Sequence, residues 1–151
     1  MKKHYIIETI CILLIFLFVY TAGIKLVNLQ QTYHDMNNQP FPNWMTPYLV
    51  WGISFLELCI ASLLLFNRTK KVGLWSSLIL MSLFTGYIGA ILMNFFSRVP
   101  CSCGGVIKEL GWTSHLYFNL FFVCISLTAI KLLKKQEKEN QNAEAQQVVF
   151  T

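Results

Sequence analysis

Charge is what this chain has least of. Of its 151 residues only 13% are Asp, Glu, Lys or Arg, against 55% hydrophobic ones, and the mean hydropathy is positive. A soluble domain carries about a quarter charged residues, so the surplus apolar surface here calls for lipid. The prolines, Pro40, Pro42, Pro47 and Pro100, flank the apolar runs and interrupt none of them, which removes the broken-helix signal expected of many transporters. There is no internal repeat, no glycine-rich phosphate loop and no recognisable flavin or nicotinamide motif. What remains is a small membrane protein with little chain left for anything else.

Spanning roughly 30 Å of hydrocarbon takes about 20 residues at about 1.5 Å each. Four stretches qualify, 6–24, 48–66, 72–96 and 116–133, and they predict an all-α fold, a four-helix transmembrane bundle in one domain over 1–133. The formal charge of +5 does not point to nucleic acid. Lys2, Lys3, Arg68, Lys70, Lys71, Lys131, Lys134, Lys135 and Lys138 all fall on one side of a four-span protein, and only Lys25, Arg98 and Lys108 on the other. The positive-inside bias then places both termini and the 67–71 turn in the cytoplasm, with loops 28–47 and 97–114 facing outward. For a bacterial inner membrane this makes the second outer loop extracytoplasmic. A cleaved signal peptide competes for the first run, but that run is long for one and lacks an A-x-A pattern.

Residues 28–37 read as a short interfacial helix, and Thr46 and Pro47 as N-cap and first residue of the second span. Lys25 is expected to snorkel toward the outer headgroups. In the third span Gly86 and Ala90, one turn apart, predict close helix contact. Asn67-Arg68-Thr69 matches a glycosylation sequon but reads as a turn on the inner face. The tail 134–151, rich in Gln, Glu, Lys and Asn, reads as a disordered cytoplasmic end. Trp44, Trp51 and Trp112 are expected as headgroup anchors on the outer face, and Trp75 on the inner one.

The chemistry lies in Cys101-Ser102-Cys103-Gly104-Gly105. Cys11, Cys59 and Cys124 sit inside spans, where a thiol is usually an inert small hydrophobe, whereas Cys101 and Cys103 are one residue apart in an outward loop where disulfides persist. A bridge between i and i+2 requires a bent backbone and gives a strained small ring, and strain raises the reduction potential. Gly104 and Gly105 supply backbone freedom. Arg98, Lys108, His115 and the start of the fourth helix are candidate sources of positive potential that would lower a thiol pKa, and His115 is also a candidate for proton exchange. Zinc on Cys101, Cys103 and His115 would have three ligands where a structural site wants four, so no metal is expected. A permanent clasp within the loop remains an alternative. Glu57 is costly in hydrocarbon and should face the bundle interior, as a proton carrier or substrate contact, or in an interhelical hydrogen bond to Tyr87 or another buried polar group. Asn94 and Asn119 are expected near the outer ends of their spans, around the cysteine loop.

Four spans, Tyr20 and Lys25 closing the first, Glu57 in the second, then Cys101, Cys103 and Gly105 followed by Asn119, together resemble the MauE/DoxX family of redox-associated membrane proteins over about 6–133. The resemblance implies a four-helix membrane bundle. For the MauE branch it implies work with a thioredoxin-like partner in maturing a disulfide-rich subunit of methylamine dehydrogenase; for the DoxX branch, an association with thiosulfate:quinone oxidoreduction. Trp112-Thr113-Ser114-His115 and the long polar tail resemble a variant group rather than a dedicated methylamine protein.

The expected function is therefore thiol-disulfide oxidoreduction in the membrane, between Cys101 and Cys103 and an exported thioredoxin-like or disulfide-rich partner. Quinone is the candidate electron carrier, with no other cofactor expected. A non-catalytic assembly or chaperone subunit is the alternative from a different class.

Overall fold

The computed structural model describes residues 2–39, 41–93, 95 and 112–149. Five helices are present among them: α1 (Lys2–Val27), α2 (Leu29–Asn37), α3 (Thr46–Leu65), α4 (Lys70–Leu92) and α5 (Trp112–Val149). A 3-10 turn, Asn43–Met45, leads into α3. α1, α3, α4 and α5 are each long and apolar enough to cross a membrane.

These four helices pack as a ring. α1 lies against α3, α3 against α4, α4 against α5, and α5 back against α1. Helical spacing of the buried residues explains why. On α1, Ile7, Cys11, Leu14, Phe18 and Ala22 fall three or four apart and are all almost fully buried, which puts them on one face. Val50, Ser54, Glu57, Ala61 and Leu64 do the same on α3, and Phe122, Ser126 and Ala129 on α5. The outside of the ring is as apolar as the inside: Phe16, Phe55, Ile79, Leu83 and Tyr117 are all exposed. Only 28% to 39% of each span is buried within the protein, so the remainder needs a bilayer.

One end of the ring gathers ions. Lys70 reaches Glu8 across to α1 and also donates to Asn67 Oδ1 at 2.7 Å. Lys3 pairs with Glu139 at 2.6 Å, and Lys71 with Glu137 at 2.8 Å. The start of α1, the turn between α3 and α4 and the far part of α5 therefore share an end, in agreement with the charge pattern. In the turn, Thr69 Oγ1 donates to the Leu63 carbonyl at 2.7 Å, and Trp75 lies beneath the Lys134 ammonium, 5.2 Å from the ring centre.

Several expectations need correction. The third span ends at Leu92 rather than near Phe96, with Met93 as its cap. The tail expected to be disordered from Lys134 continues α5 to Val149; its Lys, Gln, Glu and Ala are good helix formers, and its carboxylates find Lys3 and Lys71. Thr46 is the first residue of α3 and not its N-cap, and its hydroxyl donates instead to Asn37 Oδ1 at 2.6 Å. Close helix approach occurs at Gly73 rather than at Gly86. A Cβ on Gly73 would stand 3.0 Å from the Leu64 side chain and 3.1 Å from its backbone nitrogen, whereas one on Gly86 would meet nothing within 4 Å.

That contrast is testable. Gly73→Val should cost about 1–3 kcal/mol through overpacking, and Gly86→Ala should change stability by no more than about 1 kcal/mol. Reversible unfolding in mixed micelles measures both; equal losses would contradict the packing described.

Candidate functional site

At the opposite end from those ion pairs, α2 folds over the bundle. Asn28 breaks the helix between α1 and α2 with φ −106° and ψ 50°, and Thr32 Oγ1 ties the two together by donating to the carbonyls of Lys25 (3.2 Å) and Asn28 (3.0 Å). Thr32, Asp35 and Gln39 recur at helical spacing and are all buried. The polar stripe of α2 thus faces the protein and roofs the ring.

Beneath that roof Lys25 Nζ donates to Glu57 Oε1 at 2.6 Å. Glu57 is 2% exposed and Lys25 23%. This pairing replaces one expectation, since Lys25 turns inward instead of snorkelling to the headgroups; Glu57 faces the interior and makes its interhelical hydrogen bond with Lys25 rather than Tyr87. An isolated carboxylate or ammonium in hydrocarbon costs several kcal/mol, so two opposite charges within reach under a protein cover pair with each other. The Tyr87 hydroxyl donates to Gln39 Oε1, and its ring stacks on Phe41 with centroids 5.7 Å apart.

The same residues line a cavity of about 260 Å³ reached by α1, α2, α3, α4 and α5. Its walls are mostly apolar and aromatic, with Phe18, Tyr20, Ile53, Met81, Phe84, Tyr87, Ile88 and Phe118 among them. Polar groups enter from Lys25, Thr32, Asp35, Gln39, Glu57, His115 and Asn119. Four of these residues carry a buried polar atom with no hydrogen-bond partner among the described residues: Asp35 Oδ2, Glu57 Oε2, His115 Nδ1 and Asn119 Nδ2. Buried polar groups are ordinarily satisfied, and the concentration of these atoms around one cavity makes it the candidate site.

The expected site residues divide accordingly. His115 and Asn119, one turn apart on α5, come together with Glu57 and Lys25, and Tyr87 lies on the same wall. Asn119 is 4% exposed and about two turns inside α5, facing the cavity rather than the rim. Trp112 opens α5. Asn94, Arg98, Cys101, Cys103, Gly104, Gly105 and Lys108 lie outside the described residues. Cys11, Cys59 and Cys124 are free thiols within helices, Trp44 is 70% exposed, and Trp51 Nε1 donates to the Tyr33 hydroxyl at 3.2 Å. Thr32, Asp35 and Gln39 are the residues that sequence reasoning missed. Their i, i+3, i+7 spacing was the available signal, but a polar stripe beside a membrane reads first as facing water.

Four lipid-facing helices around a polar, partly unsatisfied chamber define a multi-pass helical membrane protein with an intramembrane site. Within that class the lineage is specific. The chain belongs to the methylamine utilisation protein MauE family, whose family model matches residues 3–132. Among curated proteins and among solved structures nothing matches it.

The ion pair gives the site's own prediction. Lys25→Met leaves Glu57 buried beside an uncharged side chain and should cost about 3 kcal/mol, the low end for breaking a buried pair because Lys25 keeps 23% exposure. Lys25→Met combined with Glu57→Leu should recover most of that loss. Unfolding free energies of both variants in detergent decide it, and a single variant as stable as the parent would show that the pair is dispensable.

Proposed function

We propose that this protein is a thiol-disulfide exchange partner of the bacterial inner membrane, in which Cys101 and Cys103 face the extracytoplasmic side and pass a disulfide or electrons to or from an exported thioredoxin-like or disulfide-rich protein. The observation that carries the reading is the family match itself, because residues 3–132 run through the whole Cys-Ser-Cys-Gly-Gly stretch. The family's description names methylamine utilisation, and the client in this reading is a disulfide-rich subunit of an amine dehydrogenase during maturation.

The chemistry follows from two neighbouring thiols. One thiolate attacks a sulfur of the partner's disulfide to give a mixed disulfide and releases the partner's other sulfur as a thiolate. The second cysteine then displaces the first-bound sulfur, closing the Cys101–Cys103 bridge and leaving the partner reduced. Starting from the bridged form, the same steps run in reverse and oxidise the partner. Arg98, Lys108 and the amino-terminal end of α5 supply positive potential to favour the thiolate. Gly104 and Gly105 let the partner's backbone approach, Trp112 anchors the loop at the headgroups, and His115 takes up or returns the proton. With Lys2, Lys3, Arg68, Lys70, Lys71 and the tail lysines on the cytoplasmic side, the end of the ring that carries α2 lies outward.

Cys101→Ser and Cys103→Ser should each abolish turnover of the partner's disulfide, read as a gel shift after alkylation of the partner in cells. One of the two should accumulate a mixed disulfide that reductant releases. A partner that reaches its normal redox state with the double serine variant would overturn the reading and favour a non-catalytic assembly subunit. Topology has a separate check: alkaline phosphatase fused after residue 149 should be inactive and fused within the 40–43 loop active, and the opposite pattern would invert the orientation.

A further inference from the structure

We propose that the cavity beneath α2 binds the ring of a membrane quinone, in oxidised or reduced form. Its volume sets the first limit. About 260 Å³ is several times the roughly 30 Å³ share of a water molecule and exceeds the roughly 150 Å³ of a cavity that accepts benzene, so a substituted ring fits. A small alkylammonium ion would satisfy a carboxylate here but leave most of an apolar chamber empty, with its walls lacking contacts.

Charge sets the second. Asp35 and Glu57 contribute two carboxylates against the single ammonium of Lys25, which disfavours an anionic amphiphile such as a fatty acid. The ligand is therefore neutral, mostly apolar, and able both to accept and to donate hydrogen bonds. A quinone presents acceptor oxygens at opposite edges of a flat ring, and the quinol presents hydroxyls in the same places. Asn119 Nδ2 is a buried donor without a partner among the described residues, and Lys25 Nζ, bound to Glu57 at 2.6 Å, has further hydrogens to donate. Glu57 Oε2 and His115 Nδ1 are buried and likewise unpartnered among those residues, and they serve as acceptors once hydroxyls form. Location agrees: between the helices of a bundle is a common place for a small-molecule site, and this one lies within segments apolar enough to sit in lipid.

The inference deepens the thiol reading, since a dithiol closing to a disulfide gives up two electrons and two protons, which a quinone takes up in becoming a quinol. Binding at the cavity nevertheless stands on its own observations. Equilibrium binding of decylubiquinone and of menadione to the full-length protein in lipid nanodiscs, with empty nanodiscs as the partitioning control, tests it. Saturable binding of one ring per chain is expected. It should weaken at least tenfold in Asn119→Leu, which removes the donor, and in Ile53→Trp, which fills the cavity, and stay unchanged in Cys101→Ser/Cys103→Ser. If Asn119→Leu does not fold, Ile53→Trp alone decides. The proposal is overturned by binding no greater than that of empty discs, or by binding that both cavity variants leave intact. Loss of partner exchange in the double serine variant with quinone binding intact separates the two ideas, and normal exchange with intact binding refutes only the thiol reading.

Discussion

An ion pair inside lipid-facing helices is the constraint around which this protein is arranged. Glu57 cannot sit 2% exposed in the middle of a ring of apolar helices without a counter-charge, and Lys25, on the neighbouring helix, is the one that reaches it. For Lys25 to turn inward, its end of the bundle must be covered. That cover is α2, held by the Thr32 hydroxyl to the last turn of α1 and packed on α3. The cover in turn buries Asp35 and Gln39, so one charge pair draws a polar layer into the protein.

The two ends of the ring consequently differ in kind. At one, the exposed Lys71–Glu137 pair ties α4 to α5 near water, where such a pair contributes little, while Lys70, itself buried, meets Glu8 of α1. At the other, four buried polar atoms find no partner among the described residues, around a chamber of about 260 Å³. Asymmetry of this sort in a small bundle localises chemistry to the α2 end, which is also the end where α4 stops at Leu92 and α5 begins at Trp112.

Much of the architecture was legible because apolar runs of about twenty residues admit few interpretations, and the grouping of lysines on one side anticipated which ends meet. The exit of α4 at Leu92 was not legible, since Met93, Phe95 and Phe96 carry the apolar run past it despite Asn94. The helical tail escaped because low hydrophobicity signals disorder and helix-forming polar residues alike; the pairing of Lys3 with Glu139 is a tertiary fact invisible to composition. Glu57 was read as interior-facing, yet its partner depended on a roof that no local pattern announces. Thr32, Asp35 and Gln39 show the same limit: an amphipathic stripe gives a face, and only the fold says what that face meets. Gly73 outranks Gly86 for a similar reason, because a small-residue pair says that close approach is permitted and not where it happens.

In the proposed function the Cys-x-Cys pair exchanges electrons with an exported partner. The measurement that tests this most directly is the redox state of Cys101 and Cys103 in intact cells, acid-quenched and then labelled with a membrane-impermeant thiol reagent with and without prior reduction. Thiol traffic predicts a pair accessible from outside whose oxidised fraction shifts when respiration is blocked or the exported partner is withheld. A pair fixed in one state under every such perturbation would contradict it.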